Sequence, residues 1–213
     1  MNNALHRIRP GPVQTVFLDR DGVINEKMPE GHYVTCWGEF RLLPGVVEAI
    51  LLLNQAGLRV VVVSNQRGIA VGLYTAADVL AIHGTLQKLL AECGAHVDGF
   101  YFCPHDRGQC TCRKPLAGLF EQAQTEFPGI SAASSIMIGD SESDMEFGRR
   151  LGMITAFLEG EPARRKPGAE AARAMADLRY ASLYEAVLDL LAQMRNPRPG
   201  SGTVCLGLPA NPR

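Results

Sequence analysis

Apolar and amphipathic stretches alternate along the chain with two periods. V-F-L (Val16 to Leu18) is a short continuous apolar run. After it, Val46, Val47, Ile50, Leu51 and Leu53 recur at the spacing of one helix face, which predicts a helix over Pro44 to Ala56 with Gly57 as its stop. R-V-V-V-V-S (Arg59 to Ser64) is β-branched without interruption, as a central parallel strand covered on both faces requires. Thr75, with Asp78 three residues on, predicts the cap of a helix running to about Cys93 before Gly94. F-Y-F-C (Phe100 to Cys103) reads as a third strand and Leu116 to Phe127 as a helix ended by Pro128 and Gly129. S-I-M-I (Ser135 to Ile138) and I-T-A-F-L (Ile154 to Leu158) are further strands around a helix over roughly Asp144 to Leu151, and Leu183 to Met194 closes the fold as a helix. The alternation predicts an α/β fold: a Rossmann-like, doubly wound, mainly parallel sheet of five or six strands with helices on both faces. Residues 1–195 are expected to form one domain, and the Pro- and Gly-rich stretch from Asn196 to Arg213 a disordered tail.

Composition narrows the partners. A chain of 213 residues that is 46% hydrophobic and 20% charged can bury one good-sized core. With a formal net charge of -1 it has no overall positive field for a nucleic acid or an anionic membrane, so small molecules are the expected partners, and the chain is expected to be a monomer. No apolar run reaches membrane-spanning length and the N-terminal residues lack the apolar core of a secretion signal, which predicts a cytoplasmic location.

In a parallel α/β sheet, ligands bind beyond the carboxyl ends of the strands. There the chain places Asp19 and Asp21 after the first strand, Ser64 and Asn65 after the second, and Asp140 after the fourth, with Asp144 one turn on; Arg113, Lys114 and Pro115 precede the helix leading to that fourth strand. Carboxylates with one lysine and one hydroxyl suit magnesium-assisted phosphoryl transfer. Singly, each has an ordinary structural explanation: D-x-D-G occurs in many turns, and an Asp in the first turn of a helix is favoured by the helix dipole alone. Together, at three strand ends, they point to chemistry.

A second cluster lies in C-P-H-D-R-G-Q-C-T-C, Cys103 to Cys112. Three thiolates and an imidazole, Cys103, His105, Cys110 and Cys112, match a closed tetrahedral zinc site with no position left for water, which predicts a structural Zn2+. The loop runs directly into R-K-P, so pinning it also fixes Arg113 and Lys114. Cys36, Cys93 and Cys205 have no partner pattern; His6, His32, His83 and His96 read as surface or satisfied core residues; Met137, Met145 and Met153 fall in core elements; Arg164 to Lys166 reads as a solvated loop.

D-R-D-G-V-I-N, V-V-S-N-Q, R-K-P and G-D-S-E-S-D, in that order over Phe17 to about Leu158, resemble the four motifs of the haloacid dehalogenase superfamily of phosphatases. The resemblance implies that Asp19 attacks phosphorus and becomes an aspartyl phosphate, while Asp21 protonates the leaving oxygen and then activates water. It implies Mg2+ held by Asp19, the backbone carbonyl of Asp21 and Asp140, with Asp144 supporting the metal shell and orienting the lysine. Ser64 is then the hydrogen-bond donor to a phosphoryl oxygen and Lys114 its counter-charge. The intervals Asn25 to Pro44 and Gln66 to Phe100 leave no room for a large cap. A capless member with a C-x-H…C-x-C loop is similar to the subgroup of heptose bisphosphate phosphatases and histidinol-phosphatases. N-Q-R-G-I-A-V-G-L-Y, H-Y-V and R-L-L-P-G resemble the heptose enzymes more, although Val71, Arg67 and Ser141 depart from their usual pattern. That resemblance implies a sugar bisphosphate substrate contacted by Asn65 and Arg113, in making nucleotide-activated heptose for lipopolysaccharide or surface glycans. A histidinol phosphate substrate, or a non-catalytic zinc-pinned domain that only binds sugar phosphates, remains open.

Overall fold

The computed structural model describes residues 13–29, 31–160 and 168–195. The tail from Asn196, the run Arg164 to Lys166, His6 and Cys205 lie outside the described residues. Six parallel strands form one sheet: β1 (Thr15–Leu18), β2 (Arg59–Asn65), β3 (Gly99–Cys103), β4 (Ser135–Gly139), β5 (Ile154–Leu158) and β6 (Leu178–Tyr180), in the order β3-β2-β1-β4-β5-β6. Among the described residues seven α-helices accompany them: α1 (Val46–Gln55), α2 (Arg67–Ala70), α3 (Ala76–Glu92), α4 (Gly118–Glu126), α5 (Glu142–Leu151), α6 (Ala169–Met175) and α7 (Leu183–Arg195).

Period-2 alternation sends successive strand residues to opposite layers. Val16, Leu18, Val60, Val62, Ile136 and Ile138 pack under α1, α3 and α7, where Ile50, Leu53, Ile82, Leu86 and Val187 meet them. Phe17, Val61, Val63 and Met137 face the other way, against Leu119, Phe120 and Ala123 of α4 and Phe147 of α5. Each such fully buried side chain contributes about 1.5–3 kcal/mol relative to exposure, so the two-sided burial of β1, β2 and β4 makes the strand ends rigid platforms.

The order fixes where a site can lie. The chain winds outward from β1 through β2 to β3, then restarts beside β1 with β4. Loops leaving β1 and β4 therefore diverge to opposite faces and open a crevice between their carboxyl ends. No large insertion covers it: the described residues between β1 and α1 hold only a three-residue helical turn, Trp37–Glu39, and those between β2 and α3 only the four residues of α2. Among the described residues no helix is long and apolar enough to cross a membrane.

Several boundaries move from their predicted places. Thr75 caps α3 through a reciprocal box with Asp78, as predicted. The first helix starts at Val46 rather than Pro44, because Gly45 turns left-handed (φ 76°). α4 starts at Gly118 because Leu116 closes a turn on Arg113 and the Gly118 amide bonds the Thr111 carbonyl. α5 starts before Asp144, whose carboxylate closes a capping box with Ser141. α2, α6 and β6 were not predicted.

His83 departs from its expected role. It is only 3% exposed, stacks on Phe100 with ring centroids 4.6 Å apart, and neither ring nitrogen has a hydrogen-bond partner among the described residues. It is a core histidine, but not a satisfied one. Burial, seconded by the Arg20 charge, pushes its pKa from the ordinary 6.5 down to about 3. A depressed base contributes stability that is present above pH 6.5 and lost as pH falls toward 3, because only the unfolded chain takes up the proton in that window. His83→Phe is expected to keep about 2 kcal/mol of stability at pH 5 that the parent loses relative to pH 7. Urea midpoints at the two pH values measure this; equal losses in both proteins contradict it.

Candidate active site

The crevice between β1 and β4 is lined by carboxylates with matched cations. The amide of Asp19 bonds the Ile138 carbonyl at 3.0 Å, tying the end of β1 to β4. The chain then doubles back at Gly22, whose φ of 98° favours glycine. A Cβ at Gly22 would also lie 2.1 Å from Oδ2 of Asp140, so only hydrogen leaves room for that carboxylate. Asp19, Asp140 and Asp144 each offer an oxygen within 4.8 Å of the others.

Lys114 neutralises part of this group. Its ammonium donates to Asp19 Oδ1 at 2.8 Å, to Asp144 Oδ1 at 2.6 Å and to the Val63 carbonyl at 2.6 Å, which uses all three protons. Burial alone would lower its pKa, but Asp144 and Asp19 overcome that and raise it. Asp144 is fully buried; its other oxygen accepts from the Ser141 amide and hydroxyl, so both oxygens serve to hold the lysine and cap α5. A Cβ at Gly139 would meet Asp144 Cβ at 2.3 Å, which is why this strand can end so close to the helix.

Asp19 and Asp21 are tuned in opposite directions. Burial pushes Asp19 up to about 7; Lys114 opposes this, while Asp144, Asp140 and Asp21 add to it. For Asp21 burial also acts upward, but the Arg20 guanidinium outweighs it and, with hydrogen bonds from Asn25 and Gln66, holds the carboxyl below its ordinary range. Arg20 is buried and forks onto Asp21, its Nη2 lying 2.8 and 2.9 Å from the two oxygens. Gln66, also buried, donates to Asp21 Oδ2 at 3.1 Å and to Ser64 Oγ at 2.7 Å, and its own oxygen accepts from Tyr74 at 2.7 Å. Ser64 Oγ accepts there, which leaves its own proton to donate.

Other predicted residues are placed differently. Asn65 exchanges two 3.0 Å bonds with the backbone of Lys114, so its carboxamide sets the lysine rather than facing the crevice. Arg113 donates to the His105 carbonyl at 3.2 Å. Arg67 forks onto Asp106 in the Cys/His loop at 2.6 and 3.1 Å. Sequence reading missed Arg20, Gln66 and Lys27, whose ammonium is paired with Asp140. The positions of Arg20 and Gln66 inside D-R-D and S-N-Q were the available signals.

The donor sets fit two metals. Clustered carboxylate oxygens, with Asp19 pushed up by burial and further by Asp144, Asp140 and Asp21, suit a hard divalent ion such as magnesium. In the loop, Cys103 Sγ lies 3.5 Å from Cys110 Sγ and 3.7 Å from His105 Nδ1, and Cys112 Sγ 3.4 Å from the same nitrogen. Bond lengths of about 2.0–2.3 Å to a central zinc imply tetrahedral edges of roughly 3.5–3.8 Å; the three separations lie close to that range, and all four ligand atoms lie within 4.8 Å of one another. Burial and the neighbouring Cys103 and Cys110 push the Cys112 thiol up to about 12, the condition that a bound cation reverses.

A family model described as haloacid dehalogenase-like hydrolase matches residues 13–152, and the chain belongs to that family. Within it, the chain stands with phosphoric monoester hydrolases. It is 40% identical over 178 residues, 83% of its length and 91% of the relative's, to the D-glycero-alpha-D-manno-heptose-1,7-bisphosphate 7-phosphatase of Mycobacterium tuberculosis. It is 36% identical over 160 residues, 70% of its length and 83% of the relative's, to the D-glycero-beta-D-manno-heptose-1,7-bisphosphate 7-phosphatase of Yersinia pestis. Among solved structures it is similar to the D,D-heptose 1,7-bisphosphate phosphatase from B. bronchiseptica complexed with magnesium and phosphate, with a TM-score of 0.73 and 30% identity over 84% of this chain and 99% of that one.

Proposed function

We propose that the chain is a magnesium-dependent phosphatase that removes the 7-phosphate of D-glycero-D-manno-heptose 1,7-bisphosphate through an aspartyl phosphate on Asp19, in the cytoplasm, for nucleotide-activated heptose synthesis. The observation that carries this reading is the convergence of Asp19, Asp140 and Lys114 at the β1–β4 crevice, beside an Asp21 of opposite tuning. Asp19 attacks phosphorus, and the bond from phosphorus to the sugar oxygen breaks. Asp21 gives that oxygen its proton; the approaching phosphoryl charge opposes Arg20 and favours the protonated acid. Asp21 then takes a proton from water, which attacks phosphorus and restores Asp19. Asp19, Asp140 and the Asp21 carbonyl would hold magnesium, which would supply the charge that lets a carboxylate approach an anionic phosphoryl group.

Ser64 donates to a phosphoryl oxygen, and Asn65 and Asp144 hold Lys114 in place. Cys103, His105, Cys110 and Cys112 would hold a zinc ion that closes the loop leading to Arg113, whose planar fork suits the second phosphate of a bisphosphate. The relatives' names favour the heptose substrate over histidinol phosphate. Phosphate release from both heptose bisphosphate anomers and from histidinol phosphate, with magnesium present, tests the reading. Faster turnover of a heptose bisphosphate is expected, faster turnover of histidinol phosphate overturns the substrate, and no release from any overturns the class.

A further inference from the structure

The loop between β1 and α1 sends a lysine into the metal crevice. Lys27 is 7% exposed, and its ammonium is in direct contact with Oδ2 of Asp140. This is the oxygen beside which Gly22 leaves no room for a side chain. Each acid of the crevice thus has a basic partner from this chain: Asp21 has Arg20, Asp19 and Asp144 share Lys114, and Asp140 has Lys27. Among these paired groups, four carboxylates face three cations, a net of -1 when all are ionised.

Arg20 forks onto Asp21, and Lys114 is held by Asp144 and the Val63 carbonyl as well as by Asp19. Lys27 touches Asp140, an acid that a divalent ion would take together with Asp19. A flexible four-carbon stem ending in a compact charge suits a cation that changes partners. We propose that Lys27 is a built-in stand-in for the divalent cation on Asp140, displaced when the metal binds and then recruited by the phosphoryl group, so that metal and phosphate bind with positive coupling. The proposal rests on the magnesium-phosphatase reading above.

Charge balance gives the coupling its sign. Adding a 2+ ion to a crevice of -1 leaves +1 with Lys27 displaced but still near, a state that attracts a phosphoryl dianion. Without Lys27 the crevice starts at -2, the ion brings it to zero, and nothing is left over to draw the phosphate. Lys27 therefore weakens metal binding in the absence of phosphate and strengthens phosphate binding in the presence of metal. By linkage, phosphate tightens metal binding by the same factor as metal tightens phosphate binding.

Titration calorimetry on the zinc-loaded protein with magnesium chloride alone, and with inorganic phosphate at saturating magnesium, tests this in the parent, Lys27→Met and Lys27→Arg. In Lys27→Met, magnesium alone is expected to bind about fivefold or more tighter and phosphate about fivefold or more weaker. Lys27→Arg keeps the charge and is expected to hold phosphate affinity within about twofold of the parent; it carries the test if the methionine variant fails to fold, loss of phosphate affinity in it overturning the proposal. Unchanged or weaker magnesium binding by Lys27→Met, or unchanged phosphate binding, overturns the coupling while leaving the phosphatase reading intact. A parent protein that binds neither ligand overturns both.

Discussion

Asp19→Asn is expected to lower phosphate release by roughly 10⁴-fold or more, the scale of loss when a covalent nucleophile is removed, while leaving the protein as stable as the parent at pH 8 or more so. The two halves follow from one feature. Asp19 is buried among acids, so its pKa rises from 3.8 to about 7 despite Lys114. A raised carboxyl contributes stability that is fully present below pH 3.8 and lost as pH rises through about 7, because only the folded state holds the proton in that window. Above pH 7 the folded protein carries an ionised Asp19 that costs free energy, and an isosteric carboxamide removes the cost. Phosphate release with magnesium present and thermal unfolding at pH 8 are the two measurements. An active Asp19→Asn variant would remove Asp19 from the nucleophile's role, whereas loss of activity with loss of folding would leave the claim about its environment wrong.

The same trade explains why this part of the sequence was easy to read. A carboxylate that must be buried, ionised and repelled by its neighbours is kept only at a site that uses it, so D-R-D-G after an apolar run stands out from its surroundings. The sheet was legible for a different reason: Val60 to Val63 are buried on both faces, and a strand in that position has to be apolar throughout. Where the outcome depended on distant neighbours, sequence reading failed. Asn65 has the residue type of a sugar ligand, yet its carboxamide is engaged by the backbone of Lys114, 49 positions away. Lys27 looks like any loop lysine until Asp140, 113 positions on, is placed against it. β6 has three residues, one of them exposed, which is too short for period-2 alternation to register. His83 is the opposite case, a polar residue inside an apolar helix face whose missing partners only the packed structure reveals.

Replacing Lys114 by methionine is expected to destabilise the protein by about 3–5 kcal/mol at pH 8, the cost of leaving buried charge without its partner, and to reduce turnover by about 10²-fold or more. The methylene stem is kept, so the change removes the ammonium with little change in packing. Asp19 and Asp144 would then face each other with no counter-charge, and Asp144, fully buried, has no route to solvent. Their available relief is to bind protons. The penalty should therefore shrink as pH is lowered from 8 to 6, giving the variant a steeper fall of stability with rising pH than the parent over that interval. Lys114→Arg should not restore turnover, since three acceptors at 2.6–2.8 Å surround a single nitrogen and a planar fork cannot occupy that point. Denaturant midpoints at pH 6, 7 and 8, with phosphate release at each, decide the matter. A methionine variant with the parent's pH slope would mean that the ammonium does not oppose protonation of Asp19, and the charge arrangement on which nucleophilic attack by Asp19 depends would have to be found elsewhere.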